Sequence, residues 1–354
     1  MKGENQRLRG MLRGYMFEVV LLRFLAENGF HIIAEFEKNR TKKTRARFIE
    51  LRGRGSWHQI DCPCDSTHTI PFIYPIRLLG EVKFHQQPID KRHIREFIGV
   101  VKDIQENYFV AGNSRKPLQR VTEIGVYFSA SGFDREAERL AFAHNIKTLS
   151  YDNLPVLVDI KHLIERLEAN HLRASTCVAE GKLGRFLEDF ERALEPDPLP
   201  TALFLRRVKA REEFIELIGQ LRDLLRGVRA SFIGNTSAGA FLHFIGEHPF
   251  PEELFERTDT GSCRVHYVMH EDGYAFHLTF TGDTKRPRRR FFFVPPLGLA
   301  EAAFLAPREV PGLKRQLFRT VSVSRHIDGL SRNLTLALDT DWLNAVEAEE
   351  QEDA

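Results

Sequence analysis

The sequence predicts an α/β protein, with a mixed central sheet flanked by helices and a separate α+β domain in the C-terminal half. In residues 14–151, apolar residues at helical spacing alternate with short runs of β-branched and aromatic residues. From residue 229 onwards, strand-like runs are paired across polar turns that contain glycine. The 354 residues are enough for two domains, each with its own core.

The first predicted helix covers residues 14–30, and its apolar stripe includes Met11, Tyr15, Leu22 and Leu25. Glu18 falls on this stripe. A buried carboxylate requires a positive group or a metal nearby, whereas a carboxylate at the edge of the stripe reaches solvent. Both alternatives remain open for Glu18.

Further elements follow in the order strand, helix, strand, helix and strand. We predict a strand that follows the apolar run 70–79 and continues to residue 84, and a helix at 89–107. A strand at 121–129 precedes a helix at 134–144, for which Asp134 is the predicted N-cap, and a strand at 146–150 closes the series. A compact α/β unit results.

The predicted domain boundaries follow changes in composition. The α/β domain takes residues 1–173, a linker 174–180, an α+β module 181–346 and an acidic tail 347–354. In the module, helices are predicted at 181–194 and 206–225, and hairpins at 264–281 and 319–338. The acidic tail is expected to be disordered.

The candidate site is the tripeptide Glu81-Val82-Lys83 together with Asp61. Side chains alternate along a strand, so Glu81 and Lys83 share one face while Val82 points to the other. Asp61 ends another strand-like run and could reach the same point. Two carboxylates bind a hard cation such as Mg²⁺, and a lysine beside them can hold a water or a phosphate oxygen. The combination indicates phosphodiester hydrolysis.

Chance is the alternative explanation for such a short pattern. An acidic residue stands two positions before a lysine at three other places, beginning at Asp159, Glu180 and Asp283. Those copies lie in predicted helices or in a turn, where the two side chains do not share a strand face. Only the copy at Glu81 follows a strand-like apolar run, although a surface ion pair remains the alternative there.

These residues, in this order, resemble the PD-(D/E)xK nuclease superfamily and, within it, the Mrr-like restriction endonucleases. The resemblance rests on Glu18, on residues 53–55 leading into 58–61, and on Glu81-Val82-Lys83, and it extends over about 170 N-terminal residues. It implies a restriction-endonuclease-like fold, a mixed central sheet with helices on both faces, and cleavage of DNA that depends on Mg²⁺ or Mn²⁺.

The resemblance also implies roles for individual residues. Asp61 and Glu81 would ligate the metal with help from the main-chain carbonyl of Val82. Lys83 would orient or deprotonate the attacking water and stabilise the charge on the phosphorane, and Glu18 would reach the metal through water or position the lysine. Gln59, which shares a strand face with Asp61, is a possible supporting residue.

Charge favours DNA as the partner. Residues 1–150 hold 25 Lys and Arg against 17 Asp and Glu, whereas the remainder holds 26 against 32. Candidate phosphate contacts are Lys42, Lys43, Arg45, Arg52 and Arg54. A solvated basic loop is the alternative. A second basic segment, residues 285–290, could contact DNA or shield an edge strand.

The remaining composition fits a soluble cytoplasmic protein. Neither a secretory leader nor an apolar run long enough to span a membrane is evident, and no ATP-binding loop is predicted. The four cysteines are too few for a disulfide framework. The leading hypothesis is a Mg²⁺-dependent DNA endonuclease of bacterial defence, whose C-terminal module selects the target or forms a homodimer. The alternatives are a catalytically inactive DNA-binding or scaffold protein and a repair or junction nuclease.

Overall fold

The structure is a computed structural model, and it divides into two compact units. The first unit comprises Met1–Ala26, Phe30–Ser150 and Asp159–Arg226, and the second Glu27–Gly29, Tyr151–Val158 and Gly227–Ala354. The predicted linker at 174–180 lies outside the described residues. The structure describes residues 2–33, 41–43, 49–67, 73–107, 120–167, 194, 211–257, 260–270, 273–283, 288–327 and 330–352.

Helices and strands alternate through the first part of the chain, as predicted. The described elements are α1 (Lys2–Glu27), β1 (Phe30–Ile32), β2 (Thr41–Lys43), β3 (Ile49–Arg52), β4 (Trp57–Ile60), β5 (Cys62–Ser66), β6 (Ile76–Lys83), α2 (Lys91–Glu106), β7 (Thr122–Ser129), α3 (Arg135–Ala143), β8 (Lys147–Ser150), α4 (Pro155–Glu165) and α5 (Glu212–Gly227). The protein is therefore mixed α/β.

Two sheets are formed in the first unit. The larger has the order β1-β5-β6-β7-β8, in which β6, β7 and β8 run parallel while β1, β5 and β6 pair antiparallel. The smaller sheet has the order β2-β3-β4 and was not predicted as a separate sheet. It separates from the larger one between β4 and β5, where Asp61 lies.

Capping residues set the start of the two helices that follow β6 and β7. The Asp90 carboxylate accepts hydrogen bonds from the backbone N–H groups of Arg92 and His93, at 2.9 and 3.2 Å. Asp134 accepts one from the N–H of Ala137 at 2.6 Å, which confirms the predicted N-cap. The buried face of α2 packs in a core with β3, β4, β6, β7 and α3; its buried residues are Ile94, Phe97, Val101 and Ile104.

The first helix differs from its prediction. It begins at Lys2 rather than at residue 14, and Met11 is 37% exposed, so the predicted stripe is wrong at that position. Tyr15 and Leu25 are buried as predicted. Glu18 is half-buried, which places it at the margin of the buried surface of α1.

The second unit contains a closed seven-stranded barrel. Its strands are β9 (Ala230–Thr236), β10 (Phe241–Gly246), β11 (Thr260–His270), β12 (Gly273–Phe280), β13 (Phe291–Phe293), β14 (Thr320–Ile327) and β15 (Leu330–Leu338), in the order β10-β13-β12-β11-β15-β14-β9. Both predicted hairpins, β11–β12 and β14–β15, are confirmed. Closure of the barrel was not predicted.

Aromatic residues fill the core of the second unit. The rings of Phe232 and Phe244 stack with centroids 4.7 Å apart, and Phe291 and Phe280 pack edge-on at 5.3 Å. Residues from helices join the same core; the helices are α6 (Glu253–Arg257), α7 (Leu297–Leu305), α8 (Val310–Leu317) and α9 (Thr340–Glu352).

The acidic tail is ordered over most of its length, which corrects the prediction of disorder. Helix α9 continues to Glu352. Arg315 of α8 donates a hydrogen bond to Glu347 at 2.8 Å and another to Asn344 at 2.7 Å. These contacts to the preceding helix hold the start of the acidic segment in place.

A buried polar network links three stretches of the second unit. The Nδ1 atom of His243 lies 2.8 Å from the hydroxyl of Tyr151, and its Nε2 atom is hydrogen-bonded to the hydroxyl of Ser231. Asn28 donates to the Ser231 hydroxyl at 3.1 Å and accepts from the N–H of Ile233 at 3.0 Å. Every member is buried, so the network contributes to stability only while it is complete.

We expect His243 to make the second unit sensitive to acid. Burial lowers the pKa of His243 to about 3, so the folded state keeps the ring neutral while the unfolded state binds a proton below about pH 6.5. Stability from this group is therefore present above pH 6.5 and is lost as the pH falls towards 3. Lowering the pH from 7 to 4.5 should reduce the free energy of unfolding by roughly 3 kcal/mol through His243.

Urea unfolding at the two pH values, followed by circular dichroism, measures this loss. His243→Gln is the control, because glutamine can hydrogen-bond but does not titrate. The variant should be less stable at pH 7 and should lose clearly less on acidification. An equal loss in both proteins would show that His243 is not responsible.

Among the described residues, none of the helices combines the length and the apolar character needed to cross a membrane.

Candidate functional site

The site lies where β6 extends beyond its antiparallel partner. β5 begins at Cys62, which is in register with Gly80, so Glu81, Val82 and Lys83 have no partner residues in β5. On the other side these three residues pair with β7, and Glu81 is in register with Tyr127. One edge of β6 is therefore open at the two charged residues.

Asp61 occupies the open edge. It lies at the bend between β4 and β5, where the chain passes from the smaller to the larger sheet. The backbone N–H of Val82 donates a hydrogen bond to Asp61 Oδ2 at 2.9 Å. The Asp61 carboxylate thus takes the place of the missing strand, and this bond fixes it beside Glu81 and Lys83.

The three predicted side chains meet at this point. Lys83 Nζ forms a short contact with Glu81 Oε1 and lies 3.7 Å from Asp61 Oδ2. The exposed fractions of the side chains are 29% for Lys83, 23% for Glu81 and 12% for Asp61. One ammonium group therefore contacts two carboxylates in a partly buried site that still reaches solvent.

Negative charge is crowded in this site. Burial and the nearby Asp61 carboxylate raise the pKa of Glu81, although Lys83 acts in the opposite direction. Burial alone would lower the pKa of Lys83, but the charges of Glu81 and Asp61 and the hydrogen bond to Glu81 outweigh it and raise that pKa. The site thus favours positive charge, and the ammonium of Lys83 supplies some of it.

Glu18 of α1 lies within electrostatic range of the same groups. Its carboxylate helps to raise the pKa of Lys83 and, after burial and Cys64, the pKa of the Cys62 thiol. α1 also contacts the chain just after β6, because the rings of Phe17 and Phe84 lie 5.5 Å apart. These observations place Glu18 close to the site.

Two histidines beside the site were not predicted to belong to it. His93, in the first turn of α2, lies with Nδ1 2.8 Å from Asp90 Oδ1, and it acts against the rise in the pKa of Glu81 that burial and Asp61 cause. The His85 ring lies 5.8 Å from that of His93. Burial, His93 and Lys83 lower the pKa of His85. The sequence contains an indication of this pair, because Asp90 stands three residues before His93 near the start of a predicted helix, and side chains at that spacing can meet.

Of the five predicted DNA-binding residues, the four that the structure describes lie on or beside the smaller sheet. Lys42 is exposed and pairs with Glu50 at 3.4 Å, while Arg54 is exposed and pairs with Glu106 at 3.1 Å. Arg52 is exposed at the end of β3. Lys43 ends β2, and Arg45 lies outside the described residues.

Gln59 is exposed on β4, opposite Glu50 of β3. Asp61 lies beyond the end of β4, at a bend, so strand alternation does not carry over from Gln59 to Asp61. The supporting role of Gln59 stays a prediction.

The carboxylate of Asp103 in α2 makes several contacts with the turn between β3 and β4. Asp103 accepts hydrogen bonds from the backbone N–H groups of Gly55 and Ser56 at 2.9 and 3.2 Å, and its Oδ2 atom lies 2.7 Å from His58 Nε2. A Cβ atom on Gly53 would lie 2.0 Å from Asp103 Oδ2, so glycine is required for this close approach.

Asp103→Ala should release this turn and reduce the free energy of unfolding by roughly 1–2 kcal/mol, because the hydrogen bonds are lost while water reaches the freed groups. Urea unfolding measures the effect. Glu106→Ala is the matched control, since it removes an exposed ion pair from the same end of α2 and should change stability by about 0.5 kcal/mol or less. Equal effects of the two changes would contradict this account of the turn.

Within the described ranges, no group of three or more His, Cys, Asp or Glu side chains is arranged to hold a metal ion. The oxygen donors at the end of β6 are the carboxylates of Asp61 and Glu81 and the main-chain carbonyl of Val82. They match the oxygen ligands that Mg²⁺ and Mn²⁺ prefer, and the crowded negative charge would be relieved by a cation. The donor set therefore fits the predicted metal, while binding itself stays a prediction.

No protein-family model matches the chain, and no curated protein matches it. Among solved structures, it is similar to one titled "Crystal Structure of Protein of Unknown Function AF1548", with 18% sequence identity and a TM-score of 0.33. The match covers 60% of this chain and 98% of that one. A likeness of this size is too weak to support an argument about fold or function.

Proposed function

We propose that this protein is a metal-dependent deoxyribonuclease that hydrolyses phosphodiester bonds within DNA, with an N-terminal restriction-endonuclease-like domain of the PD-(D/E)xK superfamily. The observation that carries the proposal is the meeting of Asp61, Glu81 and Lys83 at the open end of β6. Asp61 lies 20 residues before Glu81 in the sequence, and the side chains of all three residues remain partly accessible.

Asp61, Glu81 and the carbonyl of Val82 would hold Mg²⁺, with Mn²⁺ as a substitute. When bound, such an ion supplies an activated water and neutralises charge on the phosphate. The protein holds Asp61 in place through the N–H of Val82 and fixes Glu81 by its position in the sheet. Both carboxylates are thus positioned before any ligand binds.

Lys83 has a specific part in this proposal. Before a metal binds, the charges of Glu81 and Asp61 outweigh burial and raise the pKa of Lys83, so a protonated amine is available to stabilise charge on the phosphate. The ammonium would bind a non-bridging phosphate oxygen and orient the attacking water. Glu18 would position Lys83 through their electrostatic interaction.

The exposed cations Lys42, Arg52 and Arg54 support DNA as the substrate, because phosphate neutralisation contributes much of the affinity for nucleic acids. Lys43 and Arg45 belong to the same basic stretch of the sequence. In this proposal the barrel of the second unit selects the target or forms a homodimer. Bacterial defence in the cytoplasm is the role that the resemblance to Mrr-like enzymes suggests.

The test is cleavage of supercoiled plasmid DNA by purified protein with Mg²⁺ or Mn²⁺. We expect nicked and linear products, and none after EDTA treatment. The activity should return when the metal is restored. Cleavage that persists at full rate in EDTA, or protein that leaves plasmid, linear and branched DNA intact with either metal, would contradict the proposal.

A further inference from the structure

The exposed face of the smaller sheet has a chemistry that the proposed catalytic role does not use. Strand pairing places Lys42 opposite Glu50, Glu50 opposite Gln59, and Arg52 opposite Trp57. These pairs define one face of the sheet, the β2–β4 face, which consists of Lys42, Glu50, Arg52, Trp57 and Gln59. All five residues are exposed or half-exposed, whereas Thr41, Leu51 and Ile60 on the opposite face are buried.

Trp57 is the unusual member of this face. Its side chain is 38% exposed, although a large apolar ring is normally placed in a core or an interface. Lys42 Nζ lies 6.0 Å from the ring centroid, and Arg52 is the residue directly across the strand pair. An exposed indole between cations is a combination that binds nucleic acids, because the ring stacks on a base while the cations contact the backbone.

Charge on this side of the sheet favours a polyanion. Glu50 is the acidic residue of the β2–β4 face, and it is paired with Lys42 at 3.4 Å. The sequence around β2, residues 40–47, holds five basic residues and no acidic one. The phosphate backbone of DNA would therefore meet Lys42 of β2 and Arg52 of β3 beside Trp57.

The face is attached to α2 by hydrogen bonds and is connected to the candidate site through β4. Asp103 holds the turn before Trp57, and Asn107 donates a hydrogen bond to the carbonyl oxygen of Arg52 at 2.8 Å. β4 then runs from Trp57 directly to Asp61. Four residues of strand span about 13 Å, which corresponds to a few nucleotides. A base held on Trp57 would therefore lie within a few nucleotides of the phosphate at Asp61 and Glu81.

We propose that the β2–β4 face binds DNA that carries an unpaired base, and that this base stacks on Trp57. The proposal rests on the nuclease function proposed above and names its substrate class: bulged, branched or partly single-stranded DNA rather than perfect duplex. In a perfect duplex both faces of each internal base are covered by its neighbours, so the indole has no surface to stack on. Lys42 and Arg52 would contact the phosphates that flank the unpaired base.

The chain offers an unusually direct measurement, because Trp57 and Trp342 are its two tryptophans. In full-length Trp342→Phe protein, Trp57 is the sole tryptophan reporter. Its emission is followed in EDTA, which prevents metal-dependent cleavage, during titration with two DNA probes of the same length and flanking sequence. One probe is a perfect duplex and the other carries a two-nucleotide bulge. Fluorescence anisotropy of labelled DNA gives both affinities.

We expect the bulged probe to quench Trp57 strongly and the perfect duplex to quench it little. Trp57→Ala should weaken binding of the bulged probe by roughly 5- to 150-fold, the range found when one base-stacking aromatic residue is removed. Trp57→Phe should retain most of the affinity, and neither change should alter binding of the perfect duplex more than about twofold. Since Trp57 is exposed, these variants should fold like the parent protein.

Unchanged Trp57 emission at saturation with the bulged probe would overturn the inference, as would an equal loss of affinity for both probes. A second copy of the chain is the alternative occupant of this face, and sedimentation of the parent and Trp57→Ala proteins tests it by measuring their oligomeric state. If the substitution dissociates a dimer and leaves DNA binding intact, the face belongs to a second copy of the chain and the inference is wrong. Metal-dependent plasmid cleavage that continues in any of these cases would leave the proposed function standing.

Discussion

Lys83→Ala is expected to lower the rate of DNA cleavage by at least 10²- to 10³-fold while DNA affinity changes by about twofold or less. The ammonium contacts both carboxylates of the site, and in the proposed reaction it also meets the charge that develops on the phosphate. Loss of one such electrostatic group typically has an effect of this size. Affinity should persist because other phosphate contacts dominate binding. Plasmid nicking under single-turnover conditions and anisotropy of labelled DNA measure the two quantities.

Lys91→Ala is the matched control for this prediction. Lys91 is exposed at the start of α2, and its ammonium pairs with Glu136 of α3. Its removal takes away the same charge from the same unit and should leave the cleavage rate within about twofold. Equal loss of rate in both variants would mean that net charge, and not the position of Lys83, determines activity.

Gly80→Ala is expected to reduce both stability and cleavage. A Cβ atom on Gly80 would lie 2.7 Å from Cys62 Cβ and 3.0 Å from the Cys62 carbonyl oxygen, so β5 would have to move away from β6. Cys62 follows Asp61 and Glu81 follows Gly80, and this movement would therefore separate the two carboxylates. We expect a loss of roughly 1–3 kcal/mol in the free energy of unfolding. The cleavage rate should fall about 10²-fold, since small displacements of catalytic groups can have effects of that size.

Gly99→Ala separates the effect of position from that of the substitution itself. Gly99 is exposed on α2, and a Cβ atom there would have no neighbour within 4 Å. Alanine should stabilise this helix by roughly 0.5–1 kcal/mol and leave cleavage unchanged. If Gly80→Ala retained the cleavage rate of the parent protein, the close approach of β5 to β6 would not be needed for the site.

Local sequence patterns were sufficient for the elements around the site. The spacing of Ile94, Phe97, Val101 and Ile104 predicts α2, and Asp134 marks the start of α3 because its carboxylate accepts a backbone hydrogen bond. Alternation along β6 places Glu81 and Lys83 on one face. These features depend on neighbouring residues, which the sequence displays directly.

The position of Asp61 depends on a feature that local patterns do not contain. Asp61 was predicted to end a strand, but it lies in a bend between strands of two different sheets. Its carboxylate reaches the site because it replaces a missing strand partner at Val82. The register of β5 against β6 determines this arrangement, and register is a non-local property.

The barrel and the ion pairs of the basic loop were unpredicted for the same reason. Closure needs pairing of β9 with β14 and of β10 with β13, which are far apart in sequence. Similarly, the partners of Arg54 and His58 are Glu106 and Asp103 of α2, which lie 52 and 45 residues away in the sequence. Individual hairpins and charges can be predicted from the sequence, whereas their distant partners cannot.

Titration of the purified protein with Mn²⁺, followed by calorimetry, measures whether Asp61 and Glu81 bind a divalent metal. We expect Asp61→Asn and Glu81→Gln each to weaken Mn²⁺ binding at least about tenfold. Lys83→Ala should strengthen Mn²⁺ binding, because in the parent protein the Lys83 ammonium competes with the metal for the same carboxylate oxygens. The exposed Glu96→Gln should bind Mn²⁺ like the parent protein. Equal Mn²⁺ affinity in the parent protein and in Asp61→Asn and Glu81→Gln would contradict metal binding by these two carboxylates.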